Sequence, residues 1–163
     1  RQHLGNAVAI RPREAFVPAS LKPLAYVDED MHAFNSIIEA RRLPKGTAEE
    51  IERRDMAILA ANCRATTVPL TVLTTVPELL DLAFVMTEKG NPNSLSDAGV
   101  AGLTALAAGE GAYFNVLINL QGLGDSEDEK TFKKNCLTEA EATIKVVREK
   151  AEKIRSLVIS RIS

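Results

Sequence analysis

Aromatic residues are scarce in this chain of 163 residues: they make up 4% of it, and tryptophan is absent. Proteins that bind single-stranded nucleic acid stack its bases on aromatic side chains, so the composition argues against that function. An excess of positive charge is also missing, because 20 Lys and Arg stand against 22 Asp and Glu. The net charge of -2 argues against any general nucleic-acid partner, since phosphate binding depends on an excess of cationic side chains.

Cysteine and histidine are equally sparse, with two residues of each. Cys63 and Cys136 are too few for a disulfide scaffold, and we expect them to be half-buried thiols in a reducing compartment. His3 and His32 lie far apart and have no Cys or second His at ligand spacing. We therefore expect no metal site and no Ser-His-Asp triad.

Long hydrophobic runs are the third absence. No apolar run approaches the ~20 residues that span a bilayer, and the N-terminal RQHLGNAVAI has no signal-peptide pattern. We expect a cytoplasmic protein with no membrane partner. The composition, 45% hydrophobic and 26% charged, is that of an ordinary globular protein, and the length corresponds to about one domain.

Helical periodicity is what the sequence does have, and strand-like alternation is absent. From residue 24 to residue 42 apolar side chains recur at spacings of three and four, as on one face of a helix. The predicted fold is all-α, a bundle of about four to five helices that dimerises. Residues 24–163 form this bundle, and residues 1–23 form an irregular segment because prolines interrupt it at Pro12, Pro18 and Pro23.

Two capping boxes, Thr47 with Glu50 and Ser126 with Glu129, predict where two of the helices begin. The helix that starts at Thr47 is predicted to end near residue 66. Pro69 then restarts the chain in a further helix that runs to residue 89 and bends at a second proline, Pro77.

The next helix begins at Ser94, with Asp97 three residues later as in an N-cap, and it is rich in glycine. Because each glycine weakens a helix interior, this enrichment predicts close backbone approach to another helix or to a ligand, or a break near residue 110. The last helix carries a heptad-like seam, which predicts core or dimer packing and motivates a homo-oligomer. The seam consists of Ala140, Ile144, Val147, Ala151, Ile154 and Val158.

A carboxylate falls inside the apolar stripe of the first helix. On a helical wheel Asp30 lies between Met31 and Phe34, whereas Glu29 and His32 lie opposite. Burial raises the pKa of a carboxyl group towards the range useful for proton transfer. Asp30 is therefore a candidate general acid/base; the alternative is a carboxylate that caps a helix or pairs with a core arginine.

Amide side chains mark one face of the glycine-rich helix. Asp97, Thr104, Asn115 and Asn119 share this face with small residues, and Leu103, Leu106, Phe114 and Leu117 take the other. Asn115 and Asn119 are four residues apart, so their amides point the same way and suit a flat heterocycle. The alternative is a polar face towards water.

Four segments at these positions resemble the cyclodeaminase/cyclohydrolase family, which includes the cyclodeaminase domain of formiminotransferase-cyclodeaminase. They are VDEDMHAF (27–34), RLPKGTAEEIERRD (42–55) with VPL (68–70), GNPNSLSDAGV (90–100) and GAYFNVLINLQGL (111–123). The resemblance covers roughly residues 20–155. It implies an all-α bundle that dimerises, with folate bound near the subunit interface.

The resemblance implies a lyase of one-carbon metabolism and histidine degradation. This enzyme closes 5-formiminotetrahydrofolate to 5,10-methenyltetrahydrofolate and releases ammonia, with no cofactor besides its folate substrate. The family's catalytic aspartate falls on Asp30, and Asn91, Asp97, Asn115 and Asn119 correspond to substrate-binding positions. A fused or associated formiminotransferase domain is a further implied partner.

One feature departs from the family pattern. Members begin with a helix whose loop reads PGGGS, followed by an Ala-rich run, and this chain has neither. Two other functions therefore stand beside the cyclodeaminase. One is a methenyltetrahydrofolate cyclohydrolase, and the other is a degenerate helical oligomerisation module without catalysis, in which the truncated chain is inactive.

Overall fold

The computed structural model describes residues 28–29 and 31–163, and regular structure there is helical throughout. The all-α prediction is confirmed, with four helices and no strand among these residues. The predicted irregular segment 1–23 and the domain boundary at residue 24 lie outside them. The helices are α1 (residues 31–42), α2 (Ala48–Lys89), α3 (Leu95–Leu120) and α4 (Glu127–Ile162), with a 3-10 turn at Pro92–Ser94.

The three long helices pack against one another as a bundle. Short connections join α2 to α3 and α3 to α4, so α3 runs antiparallel to both neighbours. α2 and α4 run parallel, and their C-terminal ends meet where the Arg161 guanidinium donates to the carbonyl of Thr87 at 2.7 Å. That contact satisfies a carbonyl in the last turn of α2, which has no partner within its own helix.

Helix α2 contradicts the predicted break at Pro69, because it continues for 42 residues through both Pro69 and Pro77. A proline inside a helix removes one backbone hydrogen bond and strains the preceding turn. Here the side of α2 that faces the bundle stays apolar on both sides of Pro69, with Val68 buried before it and Leu73 fully buried after it. Tertiary packing therefore outweighs the local cost of the two prolines.

The glycines of α3 allow it to lie close to α4, which confirms the predicted close backbone approach to another helix. A Cβ built on Gly102 would come within 2.9 Å of Ile154 Cγ2, and one on Gly109 would come within 3.0 Å of Val147 Cγ1. Gly111 points away from the bundle, and nothing lies within 4 Å of a Cβ placed there. α3 nevertheless remains one continuous helix, so the alternative of a break near residue 110 is wrong.

The predicted seam of α4 is confirmed as a packing surface, and it is used inside the chain. Five of its six residues are buried against α2 and α3, and Val158 is partly buried at the end of the same core. The five are Ala140, Ile144, Val147, Ala151 and Ile154. A seam that is filled within one chain is not available for dimerisation.

Helix α1 buries a different stripe from the one predicted. Ala33 and Ala40 are buried, whereas Met31 and Phe34 are 60% and 62% exposed. Short alanine side chains let α1 lie close to α2, which turns the larger residues outward. The stripe that the wheel assigned to the core is therefore wrong at Met31 and Phe34.

The predicted N-caps differ in their geometry. Both capping boxes are confirmed with reciprocal bonds, at Thr47 with Glu50 and at Ser126 with Glu129. Ser94 does occupy the N-cap position of α3, but its side chain makes no capping hydrogen bond. The turn just before it is held instead by Asn91.

Two helical stretches, Ala48–Lys89 and Pro92–Leu120, are long and apolar enough to cross a membrane by length and composition alone. This differs from the expectation that no stretch approaches that length. Core helices of soluble proteins meet the same test, and these two pack against each other in the bundle. The finding is therefore weak evidence for a membrane.

Matched glycine substitutions test the close approach of α3 to α4. Gly102→Ala should lower the free energy of unfolding by about 1–3 kcal/mol, because its new methyl group meets the β-branched Ile154. Gly111→Ala, on the open side, should raise it by about 0.5–1 kcal/mol through helix propensity. Urea unfolding measures both. Equal effects of the two substitutions would contradict the packing described here.

Candidate functional site

The turn of α2 that precedes Pro69 carries a backbone carbonyl without a helical donor. Proline has no N–H, so the carbonyl of Ala65, four residues earlier, lacks its usual partner. The side chain of Asn119 on α3 replaces that partner, and its Nδ2 donates to the Ala65 oxygen at 2.7 Å. A polar side chain of a neighbouring helix thus supplies the hydrogen bond that the proline removes.

A second amide joins the same two helices one turn away. Asn62 is buried, and its Nδ2 donates to the carbonyl of Gly122 at 2.8 Å. Gly122 lies just after α3, where the last carbonyls of a helix need outside partners. The sequence analysis missed Asn62. An amide inside the alanine-rich, apolar run LAANCRAT was the signal that marks a buried polar group in need of a partner.

The start of the described part of α1 reaches this same turn of α2. Ala33 packs against Ala65 and Val68 in a small cluster. Asp30 lies outside the described residues, so its predicted role as acid/base stays a prediction. The described chain does bring α1, from its first turn, and Asn119 to one turn of α2.

Asn115 lies one helical turn before Asn119, and its side chain is exposed. The two amides lie four residues apart on one continuous helix, as the spacing predicted. Asn119 is half-buried because one side of its amide is bonded to α2. The pair therefore combines one amide in a fixed orientation with one that is open to solvent.

The other two predicted site residues lie at the opposite end of α3. Asp97 is exposed in its first turn, and the side chain of Asn91 accepts a hydrogen bond from the backbone N–H of Asn93 at 3.0 Å. Eighteen residues separate Asp97 from Asn115, which is about 27 Å along a straight helix. The structure of one chain does not bring the four residues into one site.

A family model described as formiminotransferase-cyclodeaminase matches residues 13–142. The chain belongs to this family. The resemblance drawn from the sequence motifs is thereby confirmed, and the match covers all five predicted site residues.

Two kinds of curated relatives are similar to this cyclodeaminase-family chain. A methenyltetrahydrofolate cyclohydrolase of Methylorubrum extorquens is 37% identical over 137 residues, which are 84% of this chain and 64% of that protein. A formimidoyltransferase-cyclodeaminase of Mus musculus is 40% identical over 110 residues, 68% of this chain and 20% of that protein. The chain thus spans less than two thirds of the length of either relative.

A solved structure shares the fold of this family member. It is a formiminotetrahydrofolate cyclodeaminase from Thermotoga maritima, with a TM-score of 0.76 and 26% sequence identity. The match covers 92% of this chain and 69% of the bacterial one. The family and the fold are therefore shown, and the chain is related to enzymes that process folates.

The outward face of α3 is apolar, like the face that packs against the bundle. Val100, Leu103, Phe114 and Ile118 are each more than half exposed. The opposite face is buried through small residues such as Ala98 and Ala112. A helix that is hydrophobic all round is normally covered on every side. Among the described residues, the polar stripe and the apolar stripe of α3 both face outward.

Two open clefts exist elsewhere on the described surface. One, about 850 Å³, lies between the C-terminal halves of α2 and α4, with Phe84 and Leu157 in its floor. Its rim carries three acidic and three basic side chains, so it has no net preference for a charged ligand. The other, about 460 Å³, lies between α1 and α2. None of the four described site residues, Asn91, Asp97, Asn115 and Asn119, lines either cleft.

The two thiols are poor candidates for a nucleophile. Cys63 is half-buried, as expected, whereas Cys136 is buried, and both are free. Burial raises the pKa of each thiol, and nearby carboxylates, Glu129 for Cys63 and Glu139 for Cys136, raise it further. A protonated thiol does not attack, so neither cysteine is suited to act as a nucleophile.

Loss of the Asn62 amide should destabilise the junction of α2 and α3. Asn62→Ala leaves the Gly122 carbonyl unpaired at the end of α3 and should cost about 1–3 kcal/mol in the free energy of unfolding. Asn35→Ala, at an exposed position of α1, is the matched control and should change little. Urea unfolding of both variants checks this, and an equal loss in both would show that the bond contributes nothing.

Proposed function

We propose that this chain is a formimidoyltetrahydrofolate cyclodeaminase, an ammonia-lyase of histidine degradation, that produces 5,10-methenyltetrahydrofolate in the cytoplasm. The names of the mouse and Thermotoga maritima proteins support this activity. The observation that carries the proposal is the turn of α2 at Ala65, where the first turn of α1 and the amide of Asn119 meet. This is where the helix that follows Asp30 approaches a fixed hydrogen-bonding group.

The proposed reaction is an intramolecular substitution. N10 of the folate attacks the carbon of the protonated formimino group and passes its own proton to the terminal nitrogen. The bond from that carbon to the terminal nitrogen then breaks, ammonia leaves, and the methenyl bridge keeps the positive charge. The proton therefore moves from N10 to the leaving nitrogen. Asp30 is the proposed carrier, as general base and then general acid. We propose no cofactor, because the ring closure requires positioning and proton transfer.

A methenyltetrahydrofolate cyclohydrolase is the second candidate. It is favoured by the Methylorubrum extorquens relative, which matches 84% of this chain. In that reaction water adds to the methenyl carbon and one carbon–nitrogen bond of the ring opens. Both reactions involve the same methenyl compound and require a proton carrier, so Asp30 and the amides serve either one. Ammonia release on addition of 5-formiminotetrahydrofolate separates the two.

We further propose a homo-oligomer that pairs through the outward face of α3 rather than through α4. That face carries Val100, Leu103, Phe114 and Ile118. The two acidic residues of α3, Asp97 and Glu110, lie at its edges, and Glu110 is already paired with Arg148, so two copies meet with little charge repulsion. An antiparallel twofold pair places the Asn115 end of one α3 beside Asp97 of the partner subunit. The four predicted binding residues, of which Asp97 and Asn115 lie about 27 Å apart within one chain, would then share an interface site.

A formiminotransferase unit is a further proposed partner, fused or associated. The chain matches about a fifth of the length of the mouse formimidoyltransferase-cyclodeaminase, whose name combines both activities. Transfer of the formimino group to tetrahydrofolate is the class of reaction that supplies the proposed substrate.

Replacement of Asp30 tests the proposed acid/base. Asp30→Asn keeps the size of the side chain and removes its titration, so turnover should fall by about 10²–10⁴-fold in a protein that stays folded. Asp28→Asn, two residues away and exposed, is the control and should cost far less. Absorbance of methenyltetrahydrofolate follows the rate. Near-normal turnover of Asp30→Asn beside a slow Asp28→Asn would mean that the wrong carboxylate was chosen.

A charge placed on the outward face of α3 tests the assembly. Sedimentation at micromolar concentration should show a dimer or larger species, and Ile118→Glu should shift it to a 17.7 kDa monomer because the new charge would be buried in the interface. Met56→Glu, at a residue of α2 with similar exposure, should leave the assembly intact. A monomeric wild-type chain would end this proposal.

A further inference from the structure

We infer that Pro69 is a positioning residue of the candidate site, because it leaves the Ala65 carbonyl free to hold the amide of Asn119. The inference deepens the proposed function, in which Asn119 binds the folate, and rests on it. It follows from the missing N–H of proline, from the bond between Asn119 and Ala65, and from the contrast with the second proline of α2.

The first step is the orientation of the amide. The Ala65 carbonyl only accepts hydrogen bonds, so the group of Asn119 that faces it must be the NH₂. The 2.7 Å contact therefore determines which way round the amide lies. Its Oδ1 accepts from no described residue, and it is left available to a donor outside the chain. The flat folate heterocycle has such donors.

The second step concerns what Pro69 contributes. With any other residue at this position, its backbone N–H would bond the Ala65 carbonyl within α2. Asn119 would then lose its role as the partner that this carbonyl requires. Pro69 is buried inside the bundle, where an unpaired carbonyl is costly, so the bond from Asn119 is strongly favoured over solvent.

The third step is a comparison within the same helix. Pro77 frees the carbonyl of Leu73 in the same way, but no described side chain donates to that oxygen. α2 remains helical through both prolines. A side-chain partner is thus not needed for the helix to continue, and the partner at Ala65 has a different use. That use lies beside the first turn of α1, where Ala33 contacts Ala65.

A double-mutant cycle on the full chain tests whether the bond between Asn119 and Ala65 depends on Pro69. Asn119→Leu should lower the melting temperature by about 3 °C when Pro69 is present, since it leaves the Ala65 carbonyl unpaired. In a Pro69→Ala background the same substitution should cost less than half as much, because the new N–H pairs with that carbonyl. In a Pro77→Ala background, Asn119→Leu should lower the melting temperature by the full amount. Equal costs in all three backgrounds would overturn the inference.

Ligand affinity tests the positioning role separately. Pro69→Ala and Asn119→Leu should each weaken binding of tetrahydrofolate by roughly fivefold to tenfold in calorimetry, and together they should do little more. Pro69→Ala should also raise the KM for 5-formiminotetrahydrofolate and leave kcat nearly unchanged, whereas Pro77→Ala should change neither constant. Intact affinity in Pro69→Ala would overturn the positioning role even if the melting cycle shows coupling. Failure of the wild-type chain to bind tetrahydrofolate would instead refute the proposed function, and the positioning role with it.

Discussion

The carbonyl of Ala65 is the group on which the arrangement of α1, α2 and α3 depends. Pro69 deprives it of a backbone donor, and Asn119 supplies one from the neighbouring helix. Together with the bond from Asn62 to Gly122, this sets how α3 lies along α2 at their junction. An apolar interface permits sliding between helices. The buried amide of Asn62 and the half-buried amide of Asn119 define one position instead, because any shift leaves carbonyls and amides unpaired.

Towards the other end of the bundle, close contact holds α3 against α4. Gly102 and Gly109 let α3 approach α4 until the side chains of Ile154 and Val147 nearly touch its backbone. Ion pairs cross the bundle around this contact, from Arg148 to Glu110 and from Lys150 to Asp81. Hydrogen bonds to Arg148 hold the pKa of Glu110 below its usual range. The pair contributes above that pKa and is lost when acid protonates the carboxylate, although its exposure keeps the contribution small.

Helix α3 connects this architecture to function because it is apolar on both faces. Its inner face packs on α2 and α4, and its outer face leaves Phe114 and Ile118 more than 60% exposed. Residues expected to bind substrate lie along the polar edge of that outer face, near both ends of the helix. Within one chain these ends are too far apart to contact a single small ligand, so the proposed site depends on the proposed assembly.

The class of fold, the starts of two helices and the family could be predicted from the sequence. These follow from local patterns: apolar spacing, the capping boxes at Thr47 and Ser126, and contiguous motifs such as NVLIN. The structure was needed to show that α2 continues through Pro69, that Met31 and Phe34 face outward, and that Asn119 bonds to Ala65. The physical reason is that each depends on a group brought from a distant part of the chain. A helical wheel describes one helix alone, and it cannot show which side a neighbour covers or which carbonyl a distant amide reaches.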